Sequence, residues 1–211
     1  MARFFLIIIT LASVLGCVTT PTRDYTKFNA AKPKSILIVP MVNRSVEITA
    51  PDYCLSTITI PLANRGYYVF PVNMVKRLLE DDGLSDANLV HNAPVEKLAN
   101  LFGADAVLYV TINQWDAKYM VLTTQVTVSL SYLIKDGKTG DSIWEHNETM
   151  IYQPKSQSSG NAIADLIIMA ANAAVTRAAP NYVPLARQAN FRAFSFPGRK
   201  IPPGPYLLVD K

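Results

Sequence analysis

The chain has 211 residues, with 20 basic against 16 acidic side chains and a formal charge of +4. Half of the residues are hydrophobic and 17% are charged, which excludes global disorder; the near balance of charge excludes a domain that lives on contact with nucleic acid. Two cysteines cannot build a disulfide framework, and two histidines argue against a histidine-based metalloenzyme.

The N-terminus carries an address. Arg3 is followed by an apolar run from Phe4 to Val14. That run is shorter than the ~20 residues of a permanent membrane span, so residues 1–16 read as a signal peptide. Val14-Leu15-Gly16-Cys17 resembles the lipobox of bacterial lipoproteins, in which the cysteine thiol is diacylated and cleavage falls just before it. The resemblance makes Cys17 the lipid attachment site. Lipid chains contribute about 0.8 kcal/mol per buried methylene, and more than one chain gives stable anchoring. Val18 stands where an Asp would favour the inner membrane, so the resemblance implies the outer membrane with the domain in the periplasm. Cys54 is then the one unmodified thiol, expected as a buried apolar cysteine.

Residues 17–34 read as lipidated cysteine plus flexible tether, rich in Thr, Lys and Pro and without apolar periodicity. The globular domain is expected over 35–195. Ser35–Met41 is a continuous apolar run, the pattern of a strand buried on both faces. Pro51–Arg65 reads as a helix with Leu55, Ile58 and Leu62 on one face, kinked or restarted at Pro61 and ended by Gly66. Tyr67–Phe70 forms the next strand. Asn73 caps a helix over Met74–Asp82, and Gly83–Ala93 reads as a polar connection. Pro94 opens a third helix that stops at Gly103, and Ala106–Trp115 is a second long buried strand.

The period then changes to two. Val126, Val128, Leu130 and Tyr132 alternate with Thr127, Ser129 and Ser131, which predicts a half-exposed antiparallel strand. Residues 136–140 make a hairpin turn, and 141–152 return as the last strand. Ala162–Ala178 and Tyr182–Phe194 read as two closing helices. Residues 196–211 form a proline-rich arm whose tip, Pro205, Tyr206, Leu207 and Leu208, must dock on its own domain or on a second copy as a self-association arm. The predicted fold class is α/β, a single mixed β-sheet with early parallel strands and a C-terminal antiparallel meander, flanked by helices.

Pro61-Leu62, Arg65-Gly66-Tyr67-Tyr68-Val69-Phe70-Pro71-Val72, Gly103-Ala104-Asp105-Ala106 and Gly204-Pro205-Tyr206 resemble a bacterial lipoprotein family of unknown function. More distantly, the arrangement is similar to the amino-terminal domain of TolB and to the periplasmic domains of CsgG and LpoB. Those relatives imply a periplasmic binding or assembly module at the cell envelope; with the lipid anchor this predicts a non-enzymatic accessory or scaffold in envelope assembly, secretion or transport, with an envelope protein as partner and, through the C-terminal arm, a homodimer among the options. The relatives supply no catalytic residues and no cofactor. Unlike CsgG, the sequence shows no pair of long alternating hairpins of the kind that span a membrane.

The residues themselves offer little catalytic chemistry. Gly137-Lys138-Thr139 mimics the end of a P-loop, but Tyr132 stands where its first glycine belongs and a strand follows. His146 and Glu148 share a strand face without an evident third metal ligand, and read as an exposed face. Asp105, just before a buried strand, is expected to cap backbone amides. Ligands in sheets with helical crossovers collect beyond the carboxyl ends of the parallel strands, which places a candidate ligand or partner rim at Asn43, Arg44 and Ser45, with Asp116 and Lys118. A periplasmic small-ligand-binding protein using that rim is the alternative reading.

Overall fold

The computed structural model describes residues 23–120, 123–152, 182–196 and 201–207, with the backbone alone at 119, 120, 123 and 124. The expected signal peptide, Cys17, the Ala162–Ala178 helix and Leu208 lie outside the described residues. The elements are helix α1 (Thr26–Ala31), strands β1 (Ser35–Ile38) and β2 (Val42–Asn43), and helix α2 (Ala50–Ala63). Strand β3 (Tyr68–Val69) and helices α3 (Val72–Asp81), α4 (Ala87–Asn92) and α5 (Val95–Phe102) follow. Strands β4 (Ala106–Met120), β5 (Thr123–Asp136) and β6 (Ser142–Tyr152) then lead to helix α6 (Val183–Ser195).

These strands form one mixed sheet in the order β3-β1-β4-β5-β6, with β2 also paired to β4. The pairs β1–β3, β1–β4 and β2–β4 are parallel, whereas β4–β5 and β5–β6 are antiparallel. The fold class expected from the sequence is therefore the one observed. The apolar run from Ser35 is divided in two, because Pro40 has no N–H to give the ladder; Val39 N still donates to the Leu108 carbonyl at 3.3 Å and Arg44 N to the Ile112 carbonyl at 2.9 Å. A β-bulge between Ile112 and Gln114 shifts the register of β4 by one residue. It carries Trp115, an odd-numbered residue, into the same core as the even-numbered Leu108, Val110 and Ile112.

Two cores sandwich the sheet. On one face Ile36, Ile38, Leu108, Leu130 and Tyr132 pack against Cys54, Ile58 and Leu62 of α2 and against Ala186, Ala189 and Phe194 of α6. On the other, Leu37, Val39, Val107 and Tyr109 meet Val75 and Leu79 of α3, Val90 of α4 and Leu98 of α5. Helix α2 runs unbroken through Pro61, which lies in its last turn where only one internal hydrogen bond is forfeited.

Three expectations are corrected here. The stretch read as flexible tether contains α1, whose Phe28 is buried and meets Tyr67 edge-on at 6.2 Å. The polar connection over Gly83–Ala93 contains α4, capped by Asp86, whose side chain accepts from Asn88 N. Helix α3 begins at Val72 after Pro71, so Asn73 lies within it and makes no cap. In each case a segment of low apolar content is fixed by one anchor, Phe28 or Val90, or by a proline geometry that the periodicity does not display.

Candidate functional site

Beyond Tyr109 the second face of the sheet carries polar side chains. Register places Tyr109, Leu133 and Glu145 in one row across β4, β5 and β6, and Thr111, Ser131 and Asn147 in the next. These rows floor a cavity of about 840 Å³, walled by His91 of α4, Lys135 of β5 and Arg23 from the start of the described chain. The His91 Nε2–H donates to the Pro40 carbonyl at 3.0 Å and its ring meets the Tyr109 ring edge-on. Lys135 Nζ lies 5.5 Å from the centre of that same ring.

The electrostatics follow from burial. Desolvation, with the charge of Lys135 adding to it, holds His91 below the usual histidine range against the opposing Pro40 hydrogen bond. Burial and the nearby Glu96 push the Tyr109 phenol up to about 12. The cavity therefore presents two basic side chains, Arg23 and Lys135, one acidic side chain, Glu145, and two imidazoles, His91 and the His146 ring that meets Glu148. Such a set can hydrogen-bond a small polar molecule of mixed charge.

A second polar group lies inside the first core. Asn190, fully buried on α6, accepts from the Tyr132 hydroxyl at 2.8 Å and donates through Nδ2 to Thr57 Oγ1 at 2.9 Å, tying β5, α6 and α2 together. Glu148, only 3% exposed, takes Arg192 Nε on Oε1 at 2.9 Å and His146 Nε2 on Oε2 at 3.0 Å. The face read as exposed at His146 and Glu148 is thus covered by α6, and its carboxylate fastens that helix to the sheet. No group of three metal-ligating side chains occurs among the described residues. Cys54 is buried beside this network, where desolvation pushes its thiol up to about 12.

Of the rim predicted from the sequence, Asn43, Arg44 and Ser45 lie at the carboxyl end of β2, whereas Asp116 and Lys118 lie within β4. The polar groups are engaged locally: Asn43 Oδ1 accepts from Ser45 N and Ser45 Oγ, Asn43 Nδ2 donates to the Glu47 carbonyl, and Asp116 accepts from Gln114 Nε2. Arg44 and Lys118 point to solvent. Tyr182 joins the two sides of this edge, its phenol pushed up by burial and by the charges of Glu47 and Asp116. Above it the loop exposes two apolar side chains, Val46 at 92% and Ile48 at 87%. At the opposite edge Asp105 Oδ2 accepts from Lys34 N, Ser35 N and Ser35 Oγ, which is the capping role its place before β4 suggests.

The described part of the C-terminal arm, residues 201–207, seats on its own chain. Ile201 is fully buried. Gly204 N donates to the Arg65 carbonyl at 2.7 Å, and Tyr206 N to the Gly66 carbonyl at 3.0 Å. In return Arg65 Nη2 donates to the Ile201 carbonyl at 2.7 Å and the Tyr67 hydroxyl to the Pro202 carbonyl at 2.6 Å. Gly66 has φ +83°, and a Cβ at either Gly66 or Gly204 would collide with the opposing backbone. The stretches Arg65-Gly66-Tyr67 and Gly204-Pro205-Tyr206, read separately in the sequence, form one clasp. Pro205, Tyr206 and Leu207 thereby belong to a contact made in cis.

Sequence reasoning missed the cavity, since His91, Tyr109 and Lys135 come from three elements. The signal that could have found it is Thr111 and Ser131, polar residues paired across β4 and β5 on the face where Val107 and Tyr109 are buried.

Comparison with known proteins places this arrangement. The family profile described as "GNA1162-like: Putative lipoprotein GNA1162-like" matches residues 23–205. The "Putative lipoprotein NMB1124/NMB1162" of Neisseria meningitidis serogroup B is 34% identical over 159 residues, covering 73% of this chain and 74% of that protein. The crystal structure of lipoprotein GNA1162 from Neisseria meningitidis is similar at a TM-score of 0.56 and 32% identity, covering 71% of this chain and all of the other. The LpoB C-terminal domain from Salmonella enterica is similar at a TM-score of 0.39 and 21% identity, over 56% of this chain and 84% of that one. On the match across residues 23–205 and the identity to the meningococcal protein, this chain belongs to the GNA1162-like lipoprotein family.

Proposed function

We propose that the protein is anchored to the bacterial envelope through acylated Cys17, on the periplasmic side of the outer membrane. There it acts as a non-enzymatic accessory or scaffold in assembly, secretion or transport. The observation that carries the reading is membership of a lipoprotein family together with a lipobox-like Val14-Leu15-Gly16-Cys17 just ahead of the folded domain. Two further features support it. The buried carboxylate Glu148 is held between Arg192 and His146, where it secures packing instead of serving as a free base. Val46 and Ile48 offer an exposed apolar contact for a protein partner at one end of the domain. The test is twofold. Metabolic labelling with an alkyne fatty acid should mark the protein and fail in Cys17→Ala, and envelope crosslinking from position 46 should trap a defined protein that Ile48→Ser weakens. Absence of label, or a consistently empty crosslink, would sink the respective half.

A small-ligand reading is favoured by one observation, the cavity beside Lys135. It moves the candidate site from the Arg44 rim to the Tyr109–Leu133–Glu145 row. A broad metabolite screen by thermal shift tests it, with stabilisation expected to disappear in Lys135→Ala and to survive in Arg44→Ala.

A further inference from the structure

The fold begins closer to the lipid attachment site than the sequence suggests. Arg23 is placed with its guanidinium 4.8 Å from the centre of the Trp144 ring, and Asp24 Oδ1 accepts from Thr26 N at 2.8 Å at the start of α1. Five residues, 18–22, separate Cys17 from Arg23. Even at full extension they span about 20 Å, so Arg23 stays within that distance of whatever holds Cys17, and α1 starts three residues farther on.

The end of the domain nearest that point has a distinct chemistry. Lys27, Lys32 and Lys34 are exposed, Asp24 is the one acidic residue in 23–34, and the Asp105 carboxylate at this edge is taken up by Lys34 N and Ser35 N. The adjoining arm, 201–207, carries no charge at all. Between α1 and the arm lies a cleft of about 490 Å³ whose walls include Phe28, Lys32, Lys34, Tyr67, Pro202 and Pro205. Cations set around an apolar notch match a bilayer surface, where anionic headgroups attract Lys and Arg and the layer beneath accepts apolar groups. Screening confines that attraction to about 8 Å at physiological ionic strength, a distance the short leash lets this end reach.

We propose that this end of the domain, α1 with the seated arm, is a membrane-contact surface for anionic phospholipid headgroups. The inference rests on acylation of Cys17 and adds which face the anchored domain turns to the bilayer. It also fixes the other end. Ser35 to Asn43 run from the membrane-facing edge to the far edge, so Val46 and Ile48 stand roughly 25 Å farther out, at about 3.3 Å per residue.

The experiment uses the lipidated protein reconstituted into phosphatidylethanolamine vesicles with or without phosphatidylglycerol. An environment-sensitive fluorophore is attached at Asn29→Cys on α1 or at Val46→Cys on the far loop; Cys54 is buried and stays unlabelled. A several-fold brighter signal from position 29 on phosphatidylglycerol vesicles, with position 46 unchanged, is expected. Salt or the triple variant Lys27→Gln, Lys32→Gln, Lys34→Gln should return position 29 to its level in solution. Water-like emission from position 29 in protein whose intact mass shows the acyl chains would overturn the proposal and leave the anchoring reading standing. A mass without acyl chains would overturn both.

Discussion

Single side chains inside the first core decide how firmly α6 holds to the sheet. Tyr132→Phe leaves Asn190 Oδ1 buried without its donor, and should cost about 1–3 kcal/mol in urea unfolding. Arg192→Met leaves the buried Glu148 carboxylate without its guanidinium partner, and about 3 kcal/mol of destabilisation is expected by the same measurement. Arg192 is partly open to water, which sets the effect at the lower end of what a buried pair shows. Cys54 gives a chemical readout of the same region. With its thiol pushed up to about 12 and shielded from solvent, it should resist alkylation at pH 8 in the native protein and react on unfolding, as intact mass will show.

At the scale of elements, what the sequence displayed depended on how many apolar residues each element spends on the core. The strand Ala106–Trp115 and the helix around Leu55, Ile58 and Leu62 bury several side chains apiece, so their periods were legible. Helix α4 buries Val90 alone and α1 Phe28 alone, and a single apolar residue has no period. The bulge at Asn113 was hidden for another reason: it changes which parity faces inward, and only pairing with β5 reveals that. The candidate cavity and the Glu148 cluster stayed illegible because their members lie on separate elements, Glu148 and Arg192 being joined only when α6 crosses β6. The clasp is an element-scale contact with a sharp test. In Gly204→Ala the added methyl meets the Gly66 carbonyl, which should unseat the arm and make it a ready site for limited proteolysis while the sheet stays intact.

For the whole molecule, the expected acid response runs through His91. Its folded affinity for protons is lowered by burial, so the unfolded chain takes up a proton first as pH falls through about 6.5. Stability is therefore fully present above that pH and falls below it, until the folded histidine also titrates. His91→Gln should flatten this part of the curve of unfolding free energy against pH, measured against the parent protein. Removing the chain beyond residue 200 takes away the buried Ile201, worth about 2 kcal/mol, and should lower Tm by roughly 4–8 °C. Because the described arm is bound in cis, light scattering should give the same number of subunits with and without it.

The clasp also imposes an order in time. The chain is made from its N-terminus, and residues 65–67 wait for some 135 others before their partners at 201–206 arrive. Closing so long a loop is worthwhile only once the intervening sheet has drawn the two points together. The arm is thus a late seal: a polypeptide cut short anywhere upstream of residue 201 lacks the partners of Arg65, Gly66 and Tyr67 and leaves that edge open.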